Sequence, residues 1–440
     1  MLAFAIVVGL LGLAVAAHTF AAASPSLRIA LAIYNGFYLL TSVVGAVLVT
    51  DSSFQLLWML VYPGMDVTWL NPGGAYRYWI LVLGPLLVVN FVASRLYMPF
   101  RPAATAVARN LDFNVSIVSV SLVGVAMVAY CLFNLASQGF LGAGLPGAEN
   151  VGVYRENIQL RAEMARALGD MHYGFVYMGI PAVCIASFFR ALQVRSLAWW
   201  GLTFCLFVAL CILYVSTLTK GNIVVFFVAL GVAAYLMGAI RVRGMVIIGL
   251  GSIAVLTSLD ALLAGTGLFE FAATGSNIIL RMSSGIPFYV DVFPAQEPFV
   301  GIDYGLQWFG IGPEVPANLV VFNYMYPKIT WVQGAAPAAA HISAYAQGGI
   351  GWSIVTMILI GGVIAFFGML GSVARSALAR SAFVGGTISC YYSTQVDFAG
   401  MINHSYGYKW WLAGILTILA VELGLRWFTQ PSASLAAAKP

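Results

Sequence analysis

The sequence predicts an all-helical, polytopic integral membrane protein with about eleven transmembrane helices, in a range of about ten to twelve. Charged residues make up 8% of the 440 residues and hydrophobic residues 61%, a composition typical of multi-pass membrane proteins. Many apolar runs approach 20 residues, the length that a helix needs to cross the hydrocarbon core. Backbone polar groups in lipid must be bonded within the segment, so these runs are predicted to be helices.

The predicted spans follow one another in a single integral domain at 1–430. A tail of mainly small residues at 431–440 is expected to be a disordered cytoplasmic segment. The first run starts at Met1 with no basic residue before it, which favours a transmembrane helix over a cleaved signal peptide. The spans are 1–17, 29–49, 78–94, 115–136, 173–189, 197–216, 222–239, 245–264, 342–371, 382–402 and 409–428.

Basic residues predict the orientation of these spans. The positive-inside rule assigns the arginine-rich loops to the cytoplasm, so the C-terminus is cytoplasmic and both long loops, 137–172 and 266–340, lie outside. The net charge of +5 then reflects contact with anionic lipid headgroups, and no nucleic-acid partner is expected. The basic residues of the predicted cytoplasmic loops are Arg28, Arg95, Arg101, Arg109, Arg190, Arg195, Arg241, Arg243, Arg375, Arg380, Arg426 and Lys439.

The first long loop contains a helical pattern between Val153 and Asp170. Arg155, Gln159 and Arg166 fall at i, i+4 and i+11 and therefore share one face of a helix. This face is typical either of a solvated amphipathic helix or of a cationic clamp for an anionic headgroup. The pattern leaves both interpretations open.

The second long loop is rich in glycine, proline and aromatic residues, Trp308 among them. Disordered segments avoid that composition, so we expect an ordered lid with short helices over the spans. Its aromatic residues fit an interfacial belt or a surface that stacks against sugar rings. The lid also carries the carboxylates Asp291, Asp303 and Glu314.

Three short stretches mark positions that could carry chemistry. Lys220 in a tight external turn either extends to water or meets a phosphate. Arg281, after an apolar run, either anchors a headgroup or makes bidentate contact with a diphosphate. His341 and Tyr345 share one side of an external helix start, where the neutral imidazole is a general base, a phosphate partner or a polar cap.

The order of these elements resembles the bacterial O-antigen polymerase and ligase superfamily of membrane glycosyltransferases. In that family a Ser-Arg-Gly turn precedes an external arginine, and a later helix start contains a histidine followed by a tyrosine. Here the turn is Thr219-Lys220-Gly221, the arginine is Arg281, and His341 precedes a Gly-Gly-Ile-Gly sequence. Lysine replaces the family's arginine, and Tyr345 lies one place later than its tyrosine. Length and layout agree with Wzy-type polymerases, including those of xanthan-like exopolysaccharides.

The resemblance implies a fold similar to the C-type glycosyltransferases, in the bacterial cytoplasmic (inner) membrane. Such an enzyme transfers a growing glycan from undecaprenyl diphosphate onto a lipid-linked repeat unit at the outer face. Membrane lipid, a chain-length regulator and a flippase of the same pathway are the implied partners. The leaving group is the lipid diphosphate of the donor, so the resemblance implies neither a cofactor nor a metal.

The resemblance also implies roles for individual residues. Arg281 and Lys220 stabilise the departing diphosphate, and His341 takes the proton of the acceptor hydroxyl. The carboxylates of the lid are rival bases. The other expected substrate contacts are Arg155, Arg161, Arg166, Tyr345, Asp291, Asp303, Glu314 and Trp308.

Other functions compete with the polymerase. A ligase of the same superfamily has the same layout, whereas a flippase or transporter usually lines a path with ionisable residues inside its spans. Only Asp260, Asp397 and Glu422 fall inside the predicted spans. Asp397, in the span at 382–402, is expected either to face the reaction cavity or to form hydrogen bonds inside the helix bundle. A membrane acyltransferase would need a histidine on the cytoplasmic side.

Overall fold

A computed structural model describes residues 2–46, 75–141, 154–217, 220–241, parts of 243–254, 283–303, 313–328 except 314, and 334–429. Within these ranges the chain forms helices and no strand. Seven helical stretches in this part are long and apolar enough to cross a membrane: Pro25–Val44, Arg77–Leu96, Ile117–Ser137, Leu160–Val194, Leu197–Ser216, Ala340–Val373 and Phe398–Thr429. Two shorter apolar helices are Val7–Ala22 and Gly221–Leu236. A multi-pass membrane protein follows from these lengths.

The first half of the chain forms nine helices in the described residues, and two of them contain a π-helical turn. The second helix continues through such a turn at Leu39–Val44, and the sixth through Phe175–Gly179. The helices are α1 (Leu2–Ala22), α2 (Pro25–Tyr38), α3 (Ala75–Leu96), α4 (Arg101–Asn110), α5 (Ile117–Ser137), α6 (Tyr154–Gly174), α7 (Ile180–Val194), α8 (Leu197–Ser216) and α9 (Lys220–Leu236).

The second half combines two short helices of the second long loop with the helices that close the bundle. They are α10 (Ile286–Val292), α11 (Ala317–Met325), α12 (Ala340–Val373), α13 (Ala377–Tyr392), α14 (Phe398–Asn403) and α15 (Tyr408–Thr429). The order of helices brings α2, α3, α13 and the loop helix α10 around α12. α12 therefore contacts both buried apolar clusters of the fold.

The predicted spans agree with these helices except at two places. The span at 245–264 lies mainly outside the described residues, so the count of eleven stays a prediction. The span at 382–402 is wrong, because α13 ends at Tyr392 and a turn separates it from α14. The hydroxyls of Ser393 and Thr394 donate to the carbonyls of Cys390 and Tyr391 and bond the last turn of α13 locally.

Arginine side chains gather at one end of the bundle, which we call the arginine-rich end (Arg95, Arg109, Arg190, Arg375 and Arg426). Here α3, α7, α12 and α15 end, and α5, α8 and α13 begin. Hydrogen bonds join the segments: Arg190 donates to Asn114 Oδ1 at 3.1 Å and Arg426 to Asn114 O. This end corresponds to the predicted cytoplasmic side.

A buried carboxylate fixes the start of α5 at the arginine-rich end. Glu422 of α15 is 5% exposed and accepts hydrogen bonds from the backbone N–H and the hydroxyl of Ser116, both at 2.7 Å. Ser119 Oγ donates to the same carboxylate at 2.9 Å, and Arg426 forms an ion pair with it at 2.9 Å. Glu422 therefore acts as a structural cap for α5, because it supplies acceptors to donors that the helix leaves free.

α12 is interrupted at Gly348 and Gly349, where the backbone leaves the helical region. Ser353 Oγ donates to the carbonyl of His341, twelve residues earlier, which a continuous helix would hold about 18 Å away. Residues 340–347 therefore form a short segment that folds back beside the start of the long helix. Gly349 has φ +73°, a conformation that favours glycine.

Candidate functional site

Polar side chains from three separate parts of the chain meet at the end of the bundle opposite the arginine-rich end. Asp170 comes from the last turn of α6, Asp397 from the turn before α14, and His404, Ser405 and Lys409 from the start of α15 and the turn before it. Asp170, Asp397 and Lys409 all lie close enough to His404 for their charges to act on it. We call these five residues the outer cluster.

Ser405 links His404 to Asp170 within the outer cluster. Ser405 Oγ donates to Asp170 Oδ1 at 3.4 Å and lies 3.2 Å from His404 Nδ1. A serine hydroxyl has only one proton to donate, so when Ser405 gives it to Asp170, Nδ1 of His404 is the donor to Ser405. In that tautomer Nε2 of the neutral ring is an unprotonated acceptor, and the residue is exposed at the surface. This is the arrangement that a general base requires.

Asp397 lies next to a second carboxylate in the same region. Its side chain accepts the backbone N–H of Gly400 and caps α14. Burial raises the pKa of Asp397; the Gly400 hydrogen bond counteracts this rise, the nearby charge of Asp303 adds to it, and His404 counteracts it. A carboxyl group of this kind stays protonated to a higher pH than an exposed aspartate.

Four tyrosines form a wall under the outer cluster. Tyr406 stacks on His404, with ring centroids 5.3 Å apart and planes at 7°, and on Tyr177 at 4.7 Å. Tyr392 and Tyr173 extend the wall, at 5.2 Å from Tyr406 and 5.3 Å from Tyr177. The wall therefore holds the imidazole ring of His404 in one plane.

Arg161 and Lys220 border this wall in different ways. The exposed Arg161 of α6 lies close enough to Tyr173 and Tyr177 for its charge to act on both phenols. The Tyr392 hydroxyl donates to Asn222 Oδ1 at 3.0 Å, which ties the wall to the first turn of α9. Lys220 starts that turn, but its side chain lies outside the described residues. α9 therefore begins beside the outer cluster.

His341 lies inside the bundle rather than at an exposed helix start. Pro85 has no N–H, so the carbonyl of Leu81, four residues earlier, lacks its helical partner. His341 Nε2 lies 2.8 Å from that carbonyl, and the hydroxyl of Tyr38 lies 3.2 Å from the same nitrogen. Because a carbonyl only accepts, Nε2 carries the proton, and Nδ1 is without a partner among the described residues. The ring is 0% exposed, which corrects the expected external position.

Tyr345 and Asp303 join the folded-back segment of α12 to the second long loop. The Tyr345 hydroxyl donates to the carbonyl of Phe293 at 3.1 Å, so this side chain is buried in a structural contact. The backbone N–H of Asp303 donates to Gln347 Oε1 at 3.3 Å, and Val300 donates to the carbonyl of Ala346 at 3.1 Å. Residues 300–303 thus bring Asp303 close to Asp397.

The remaining predicted site residues divide by what the structure describes. Arg166 is exposed on α6, and Asp291 is half-buried on α10. The backbone of Arg155 lies in α6, and its side chain is outside the described part. Three further predicted residues also lie outside that part: Arg281, Trp308 and Glu314. Within the described residues, no group of three histidine, cysteine, aspartate or glutamate side chains is placed to hold a metal ion.

Sequence reasoning did not select His404, Ser405, Asp170 or Lys409. Each lies at the boundary of a span, where a polar residue is common because the span meets water there. The one signal that could have found them is that His404 and Lys409 share the short external connection before the last span. No family model matches the chain, and neither a curated protein nor a solved structure is significantly similar to it.

Proposed function

We propose that this protein is a membrane glycosyltransferase that extends a glycan at its outer face, as the resemblance to O-antigen polymerases implies. One observation carries the proposal: His404 is exposed, and Ser405 lies within hydrogen-bond distance of both its Nδ1 and the carboxylate of Asp170. In the tautomer in which Ser405 donates to Asp170, Nε2 is free to accept a proton. Base, orienting group and nearby cations then occupy one water-accessible end of a membrane bundle. Lipid-linked sugars offer a hydroxyl and a diphosphate at that level.

The proposed reaction assigns the proton to His404. Nε2 accepts the proton of the acceptor sugar hydroxyl while its oxygen attacks the anomeric carbon of the donor glycan. The bond between that carbon and the diphosphate oxygen breaks, and its electron pair leaves with the lipid diphosphate. The imidazolium then returns its proton to solvent. This role replaces the expected one of His341, whose ring is enclosed.

Cations are needed at the departing diphosphate, because negative charge develops there. The charge of Lys409 lies near His404, and Arg161 lies beside the tyrosine wall. Both are therefore candidates for the cations that stabilise the departing diphosphate. Arg281 and Lys220 keep the same expected role from the family resemblance. A polymerase and a ligase share this chemistry and differ in the acceptor.

The test is an assay of the purified full chain with polyprenyl-diphosphate-linked repeat units, read as a ladder of product lengths. Wild-type protein is expected to form a ladder without nucleotide sugar or ATP. His404→Ala should slow extension by about 10²- to 10⁴-fold, the usual contribution of a general base. His18→Ala is the matched control, because His18 is also exposed but lies in α1 near the arginine-rich end. Equal loss in both variants would contradict the assignment.

A flippase for lipid-linked glycan is the second candidate, and the interruption of α12 at Gly348 and Gly349 favours it. Discontinuous helices commonly form substrate sites in transporters. The same lipid in sealed vesicles distinguishes the two functions. Movement of the lipid across the bilayer without chain extension would support the flippase and remove the catalytic role of His404.

A further inference from the structure

An open cavity at the arginine-rich end is lined by α4 and the turn before it. Its volume is about 490 Å³, and its walls are formed by Met98, Arg101, Pro102, Thr105, Ala106 and Arg109. Arg101, Thr105 and Arg109 follow one another at intervals of four residues and therefore share one face of α4. Both arginines and the threonine hydroxyl are thereby directed towards one space.

An adjoining face of α4 fixes the helix against the bundle. Ala104 is 0% exposed and Ala108 8%, and α4 packs against α12 through this face. Phe100 before the helix meets Phe366 edge to face at 5.9 Å. The helix is thus held by its small residues, while its basic face remains open to the surroundings.

Unlike Arg28 and Arg190, the two arginines of the cavity have free guanidinium groups. Arg28 donates to three carbonyls at and just after the end of α1, and Arg190 donates to Asn114. The guanidinium groups of Arg101 and Arg109 have no hydrogen bond or ion pair within the part of the chain that the structure describes. Two cations that face one cavity repel each other unless an anion lies between them.

We propose that this cavity binds the headgroup of an anionic phospholipid from the leaflet at the arginine-rich end. A phosphodiester oxygen above Thr105 accepts hydrogen bonds from both guanidinium groups, which suit bidentate phosphate contact. Met98, which is 58% exposed, offers apolar surface for the start of an acyl chain. A lipid fits better than a soluble anion, because the cavity combines two cations with apolar walls at the level of a membrane surface.

The test measures binding of phosphatidylglycerol to the purified full chain by native mass spectrometry, with phosphatidylcholine and inorganic phosphate as comparison probes. Arg101→Ala combined with Arg109→Ala is expected to weaken phosphatidylglycerol binding about thirtyfold, because each arginine near an anionic surface contributes a factor of about five. Arg195→Ala combined with Arg375→Ala is the matched control. It removes the same charge from the same end, at exposed positions that do not line the cavity.

Three results would overturn the proposal. Equal weakening in the two double variants would show a diffuse attraction of charges rather than a site. Equal binding of phosphatidylcholine would remove the role of the anionic headgroup. Displacement of phosphatidylglycerol by millimolar inorganic phosphate would assign the cavity to a soluble anion. Both variants must first elute as wild-type protein does in size-exclusion chromatography, which the exposed position of all four side chains predicts.

Discussion

Replacing Tyr406 by alanine would remove the ring that holds the imidazole of His404. Tyr406 stacks on Tyr177 at 4.7 Å and on His404 at 5.3 Å, and it contacts the tilted ring of Tyr392 at 5.2 Å. Aromatic pairs contribute about 0.5–1.5 kcal/mol each beyond their buried area. Three pairs therefore give about 1.5–4.5 kcal/mol, and the half-buried position of Tyr406 places the expected loss near 2–3 kcal/mol.

Tyr406→Phe separates the ring from its hydroxyl. The phenylalanine keeps all three ring contacts and loses only the hydroxyl, which lies near that of Tyr177, so we expect a loss below about 1 kcal/mol. The assay is reversible unfolding in mixed micelles, together with the rate of chain extension. Tyr406→Ala should also slow extension, since His404 loses its stacked neighbour. A phenylalanine variant as unstable as the alanine variant would refute the reasoning.

Three further predictions concern stability in the same unfolding assay. Glu422→Ala should lower the free energy of unfolding by about 3 kcal/mol, because it leaves the donors at the start of α5 without their acceptor; a loss below about 0.5 kcal/mol would contradict this. Burial raises the pKa of Asp397, so wild-type stability should fall as pH rises through and above the usual aspartate range, whereas Asp397→Asn should lack this fall; identical pH profiles would be inconsistent with that shift. Gly386→Ala places a methyl 2.1 Å from the ring of Phe367 and should cost about 1–3 kcal/mol, whereas Gly362→Ala, with 3.7 Å of space, should not; equal effects would show that the ring moves aside.

The helices of this protein could be predicted from the sequence because their signal is local. An apolar run of spanning length needs no partner to identify it, so the helices appear where hydropathy expects them. The failure at 382–402 has a local cause as well. The run from Ser393 to Gln395 is polar, but the apolar residues on both sides hid the end of the helix.

The candidate site depends on contacts between distant parts of the chain, which the sequence pattern does not contain. Asp170 and Ser405 are 235 residues apart and meet only because the end of α6 lies beside the start of α15. The predicted external position of His341 is wrong for a related reason. Its environment depends on the carbonyl that Pro85 leaves free in α3, and nothing in the sequence around His341 indicates this.

The most direct test of the central claim is chemical rescue of His404→Ala by free imidazole in the ladder assay. If Nε2 of His404 is the general base, the variant should extend chains at least about a hundredfold more slowly than wild type. Added imidazole should then restore part of that rate, with a dependence on pH that follows its neutral form. A variant that extends chains at the wild-type rate would contradict the role of His404.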